Sequence, residues 1–162
     1  MDIQLRDAEP DDVVRILRDE KEPAERSLID HWSRKQHLEA IDDDATACWV
    51  ILQKGDPVGH LIVQNLDDPN DSAFLRRIVV TRPRSGVGKA AVSRGLFYLF
   101  RVRKMHRVWL NVKQGNDASA KFFSSLSFVQ EGTSREASKI REGGYVSMAV
   151  FSILEYEFQG DA

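Results

Sequence analysis

Apolar and polar positions alternate along some stretches of the chain and recur at helical spacing along others. The opening "IQLRDA" alternates and predicts a short strand. In "PDDVVRILRDEKEP", residues 10–23, acids come first, Val13, Val14, Ile16 and Leu17 follow, and a proline closes the segment. That order predicts a helix. In "SLIDHWSRKQHLEAIDD", residues 27–43, Leu28, Ile29, Trp32, Leu38 and Ile41 stand at near-helical spacing and predict a second. "ATACWVILQ" and "GHLIVQNL" are apolar runs on either side of the turn "KGDPV", a β-hairpin pattern. After the loop "DDPND" comes the strand "SAFLRRIVV". A long helix to about Lys104 follows, with Val92, Leu96 and Leu99 on one stripe and Ala91, Gly95, Tyr98 and Val102 beside it. Such an apolar helix is buried against a sheet. "HRVWLNVKQ" is a strand and "NDASAKFFSSL" a short helix capped by Asn116 or Asp117. "SFVQEGTSREAS" and "GGYVSMAVFSILEYEF" close the chain as two strands around "KIREGG". The order is β-α-α-β-β-β-α-β-α-β-β. Its central strand–helix–strand unit implies a parallel pair joined by a right-handed crossover.

Composition narrows the class. The 162 residues suit one domain with its own core, and no repeat or linker divides them. With 42% hydrophobic and 30% charged residues the chain reads as globular, and a net charge of −2 speaks against nucleic acid as a partner. The basic run "RVRKMHR", residues 101–107, reads as the solvated end of a helix. No stretch reaches the ~18 apolar residues of a membrane span. "MDIQLRDAEPDD" has no signal-peptide core, which leads to the expectation of a cytoplasmic protein. The single cysteine, Cys48, reads as a buried thiol in a strand. His31 and His37 do not share a helical face, so no metal site is expected. Charge is divided along the chain: residues 1–72 carry 18 acids and 8 bases, and residues 73–162 carry 7 acids and 15 bases. Such a molecule suits an anion on one side and attracts a cation on the other.

The candidate chemistry lies in "TRPRSGVGKAA", residues 81–91, between a strand and a helix. A nucleotide P-loop fails at both ends, because Pro83 takes the first glycine slot and Ala90 follows Gly88-Lys89. The dinucleotide spacing fits Gly86, Gly88 and Ala91, but no acidic ribose partner follows about 20 residues on. A pyrophosphate-binding turn at a helix N-terminus fits better. Gly86 and Gly88 let the backbone approach a phosphate, while Arg82, Arg84 and Lys89 add charge.

"RIVVTRPRSGVGKAAV", followed by "MHRVWLNVKQGNDASAKFFSSLSFVQEGTSRE", resembles the GNAT superfamily of acyl-CoA-dependent N-acyltransferases. It is most similar to the branch of ribosomal-protein N-terminal acetyltransferases and spermidine acetyltransferases. The likeness covers roughly residues 47–157. It implies one α/β domain of the α+β type, with about 6–7 strands in a mixed sheet, a splayed parallel pair at its centre and about four helices on both faces. Residues 47–157 would form the coenzyme-binding core, and residues 1–46 the acceptor side.

The resemblance further implies acetyl transfer from acetyl-CoA, as co-substrate, to a primary amine such as a protein N-terminus or a polyamine. The pyrophosphate would sit on the main chain of Ser85, Gly86, Val87, Gly88, Lys89 and Ala90. Arg82 or Arg84 would replace the usual Arg or Gln at Pro83. The pantetheine would run along Ile78, Val79 and Val80, and the main chain near Val79 or Val80 would contact the oxyanion. Asn116, Ser119, Phe122 and Phe123 would complete the coenzyme site. Phe123 stands where the family often has a proton-donating Tyr, and the strand lacks the family's frequent Glu. His60, Tyr145 and Glu131 are the remaining candidate bases. A non-catalytic acyl-CoA-binding module of this fold is the alternative, and an α/β interaction domain without a coenzyme is a third class. Glu20, Glu22, Glu25 and Asp30 are expected to favour a cationic acceptor. The long final strand is read as a sheet edge covered by a second copy, giving a homodimer.

Overall fold

The computed structural model describes residues 1–26 and 28–160. A seven-stranded mixed sheet runs through the chain, with spatial order β1-β2-β3-β4-β5-β7-β6. The predicted order of elements holds throughout. Strand β1 (Ile3–Asp7) is one edge and pairs antiparallel with β2 (Ala47–Gln53). Between them α1 (Val13–Glu25) follows a single 3-10 turn at Pro10–Asp12. The Asp12 carboxylate secures that turn by accepting from the Glu9 N–H at 2.8 Å and from Arg6 and Arg15 at 3.0 and 3.2 Å. The Arg6 hydrogen bond is the main reason its carboxyl lies down at about 2. The helix runs two residues past Pro23.

The second helix is shorter than its periodicity predicts. α2 spans Arg34–Asp42. Its start is fixed by a reciprocal cap: the Gln36 N–H donates to Ser33 Oγ at 3.2 Å and the Ser33 N–H donates to Gln36 Oε1 at 2.7 Å. Ser27, the first residue of the predicted helix, lies outside the described residues. Residues 28–33 are not helical, because tertiary contacts claim them. Arg77 donates to the Asp30 carbonyl oxygen, Arg76 pairs with the Asp30 carboxylate at 3.2 Å, and both guanidinium groups lie over the Trp32 ring.

β2 turns at Lys54-Gly55, both at positive φ, into β3 (Asp56–Gln64). Asp56 and Pro57 thus belong to the strand rather than the turn. β3 pairs antiparallel with β4 (Ser72–Val80). Ile62 faces Arg77 and Val63 faces Leu75, so Arg76 is an extra residue, a β-bulge. α3 (Val87–Phe97) crosses from β4 toward β5 (Arg107–Lys113). It ends in one wider π turn, Tyr98–Val102, where an uninterrupted helix was expected. α4 (Asp117–Ser125) leads to β6 (Val129–Lys139) and β7 (Tyr145–Leu154).

β7 is not an edge. It lies between β5 and β6, which explains its apolar run, and the far edge is β6. The reasoning from a long apolar edge to a homodimer therefore falls.

The helices divide between the two faces. On one, Val92 and Leu96 of α3, Leu99 of the π turn and Phe123 of α4 join Leu61, Val63, Leu75, Leu110 and Phe151 in the largest apolar cluster. Burying each such side chain stabilises the fold by about 1.5–3 kcal/mol. On the other, Ile16 of α1 packs on Val50, and Ala40 of α2 packs with Trp32 and Ile62.

Candidate active site

The central parallel pair separates soon after it starts. β4 and β5 pair only where Ser72, Ala73 and Phe74 meet Arg107, Val108 and Trp109. Beyond the Arg76 bulge β4 continues to Val80 bonded to β3, and β5 continues to Lys113 bonded to β7. The facing edges diverge around a cleft of about 410 Å3. Its walls are Leu75–Ile78 and Trp109–Lys113, with Asn116, Ser119 and Phe123 among the other lining residues. Among the described residues, the β4 edge facing this cleft has no strand partner beyond Phe74.

At the end of that edge lies the glycine loop. Ile78, Val80, Pro83, Arg84, Ser85, Gly86, Gly88, Lys89 and Phe122 surround a second cavity of about 440 Å3. Gly86 is the N-cap of α3 at φ 81, a left-handed conformation that L side chains rarely adopt. Its carbonyl accepts from Ala90 N–H at 3.1 Å. Gly88 and Lys89 stand in the first turn of α3, where the helix supplies no main-chain acceptor of its own for the N–H groups. Among the described residues, one side-chain hydrogen bond reaches this terminus, a long one of 3.4 Å from Val87 N–H to Ser85 Oγ.

The predicted loop residues divide accordingly. Arg84 and Lys89 border the cavity, whereas Arg82 donates to Gln53 at the end of β2. The Val87 side chain is fully buried against Ile3, Ile51, Val58 and Ala91, with Ala90 packed beside it, so both offer only main chain. Val79 is buried and Val80 faces the cavity.

α4 joins the two cavities, Phe122 lining one and Phe123 the other. Phe123 is buried against Phe128, ring centroids 5.4 Å apart. Asn116 is the α4 cap: its Oδ1 accepts from the Ser119 N–H at 3.2 Å, and the side-chain amide N–H groups take no part in the cap. It also lines the cleft, so capping and ligand contact are compatible.

The cleft adjoins a larger cavity of about 1010 Å3, and the two share Ile29, Asp30 and Lys113. α1, the 28–33 segment and the β6–β7 turn form its walls. Glu20 lies in this wall and is 4% exposed, deep enough that its charge must be compensated. Its carboxylate accepts from His37 Nε2 at 2.7 Å, His60 Nε2 at 2.8 Å and Arg77 Nη1 at 2.9 Å. Burial works to raise the Glu20 carboxyl. The hydrogen bonds from His37 and His60 and the charge of Arg77 outweigh it and hold the group well below the usual carboxylate range. An ionised carboxylate only accepts, so both imidazoles carry the proton on Nε2. Among the described residues, the buried Nδ1 of His60 has no partner.

His60, a candidate base, therefore sits behind Glu20 and not in the cleft. Tyr145 is 59% exposed at the start of β7 and borders neither the cleft nor the cavities joined to it. Glu131 bonds Arg107 and Ser152 at 2.6 and 2.7 Å. Burial pushes the Cys48 thiol up to about 12, with the charges of Asp43 and Asp7 adding to it. Among the described residues no group of His, Cys, Asp and Glu is arranged to hold a metal ion, and no helix is long and apolar enough to cross a membrane.

The Glu20 cluster joins residues 20, 37, 60 and 77 from four elements, and sequence reasoning missed it. One signal was present. Glu20 stands four positions after Ile16 and seven after Val13, on the buried stripe of α1, where an acid needs a partner.

The structure thus sets a parallel pair that parts into a cleft beside a glycine-rich turn bordered by Arg84 and Lys89. Residues 11–128 match the acetyltransferase (GNAT) family, and the chain belongs to it: the protein is an acetyltransferase. Solved structures share its fold over nearly the whole length. A spermidine N-acetyltransferase (SpeG) chimera of Vibrio cholerae and hSSAT is 24% identical, covers 98% of both chains and superposes with a TM-score of 0.83. The dodecameric spermidine N-acetyltransferase of Vibrio cholerae is 20% identical over 97% of this chain and 96% of its own, with a TM-score of 0.80. The spermidine/spermine N-acetyltransferase SpeG of Vibrio cholerae in complex with manganese ions is 20% identical over 96% and 94%, with a TM-score of 0.79. No curated protein sequence matches the chain.

Proposed function

We propose that the protein transfers an acetyl group from acetyl-CoA to a primary amine by direct attack within a ternary complex. The observation that carries this reading is the open edge of β4 from Leu75 to Val80, leading without a break into the Arg84–Lys89 turn. In this reading the pyrophosphate lies on the Gly88 and Lys89 N–H groups, with Arg84 and Lys89 balancing its charge. The pantetheine pairs along β4 as an added strand. The thioester reaches the cleft between β4 and β5, where a main-chain N–H near Val79 or Val80 stabilises the tetrahedral oxyanion by ~3 kcal/mol. Asn116 holds the pantetheine through its side-chain amide.

The amine nitrogen attacks the carbonyl carbon, and the C–S bond then breaks. The thiolate leaves without a proton donor, because its conjugate acid has a pKa of only ~8.5. Phe123 in the usual Tyr position is therefore compatible with turnover. The harder proton is that of the ammonium, with a pKa of about 8–10. His60 already holds its proton on Nε2 toward the ionised Glu20, so in this reading water takes the proton from the ammonium. The apolar lining at Phe123 and the lack of a carboxylate on β4 support a second reading, an acyl-CoA-binding module without turnover.

Free-thiol release from acetyl-CoA with a panel of primary amines decides between them. Release with any amine supports the enzyme. Coenzyme binding without release supports the module.

A further inference from the structure

The acids once expected to draw a cationic acceptor are largely occupied. Glu20 is held by His37, His60 and Arg77. Glu22 pairs with Arg26 at 3.1 Å, and Asp30 pairs with Arg76 at 3.2 Å. Glu25 is the one acid in the wall of the acceptor cavity that has no cationic partner among the described residues. The same wall presents Lys21 from α1, Lys113 from the end of β5, Lys139 from the end of β6 and Arg141 from the β6–β7 turn. Lys21, Lys139 and Arg141 pair with no carboxylate among the described residues. Between these charges the wall is apolar: Leu17, Ile29, Trp32 and Ile140.

We propose that the acceptor is a small primary amine that also bears a carboxylate and an apolar body, as an amino acid does. This rests on the acetyltransferase reading above and names the substrate class of the same site. The amine enters at the β4–β5 gap, which the cavity meets at Ile29, Asp30 and Lys113. The apolar body lies against Trp32 and Ile29. The carboxylate reaches Lys139 and Arg141, whose guanidinium fork donates to both its oxygens. A polyamine brings several positive charges to a wall that already has unpaired cations, and like charges repel at this range. The shared fold of the spermidine enzymes is silent on this point, because acceptor choice resides in side chains.

The test compares L-phenylalanine with phenethylamine and L-leucine with isoamylamine, each pair differing by the carboxylate, with spermidine alongside. Thiol release gives kcat and KM for the wild type and for Lys139→Glu/Arg141→Glu. Both positions are exposed, and circular dichroism and a coenzyme A titration check that fold and coenzyme site survive. The carboxylate-bearing member of each pair is expected to have at least ~10-fold higher kcat/KM, expressed in KM, as one charge-assisted contact supplies. In the double variant the advantage should fall to about twofold or less. Turnover of spermidine or of the decarboxylated amines at equal or higher kcat/KM overturns the proposal and leaves the acetyltransferase reading intact. An unchanged preference in the double variant also overturns it. No release with any amine, despite coenzyme binding, overturns both.

Discussion

Replacing Glu20 by Gln should destabilise the protein far more than a typical single change. The substitution keeps the shape and removes one charge. Arg77, with a side chain 2% exposed, then becomes a buried cation whose closest remaining acceptor is the Asp30 carbonyl. The new amide also turns an N–H toward imidazoles that already present Nε2–H groups, so at least one donor loses its partner. Breaking a buried ion pair on one side costs about 3–5 kcal/mol. For a chain of this size that lowers Tm by roughly 6–20 °C. Urea unfolding followed by circular dichroism measures it, and the pairing is tested by Glu20→Leu with Arg77→Met. The double variant should recover at least ~1.5 kcal/mol relative to the sum of the single ones. A Glu20→Gln loss below ~1 kcal/mol, or additive single changes, would refute the claim that this carboxylate compensates the buried cation.

Three other expectations follow from particular contacts. A Cβ on Gly59 would collide with the carbonyl oxygen of Val79, so Gly59→Ala should displace the open stretch of β4. It should cost ~1–3 kcal/mol of stability and weaken coenzyme binding, and unchanged binding by titration would show that the β4 edge is not the pantetheine track. Phe123→Tyr should change kcat by much less than the ~100-fold of a positioned general acid; a gain of that size would mean that thiolate departure limits the wild type. Asp12 and Glu20 both have carboxyl pKa values lowered by folding, Asp12 to about 2. A lowered carboxyl stabilises the fold above its unfolded value near ~4, and that contribution is lost as pH falls toward 2. Tm should therefore drop steeply below about pH 4, and much less in Glu20→Gln.

Local pattern carried most of the fold. Alternation and 3.6-residue periodicity located every strand and helix, and the glycine loop appears at its predicted junction. The failures came where distant residues decide. Residues 28–33 have helical spacing, yet Arg76 and Arg77, more than forty positions away, hold them out of a helix. β7 reads as an edge because a strand's neighbours are not written in its own residues. The loop and the α4 residues were legible because the local chain both forms and fills them. The charge of the acceptor cavity was not, since pairing decides which acids stay available.

The most direct test of the account is a calorimetric titration of acetyl-CoA into the wild type and into Gly86→Glu/Gly88→Glu. Glu at 86 is strained at φ 81, and Glu at 88 brings a carboxylate into the turn that faces Phe122 and Val80. The account predicts binding by the wild type with a Kd on the order of micromolar, weakened at least ~100-fold in a double variant that keeps its circular dichroism spectrum. Failure of the wild type to bind, or equal binding by both proteins, would contradict the assignment of the open β4 edge and its cationic turn to the coenzyme.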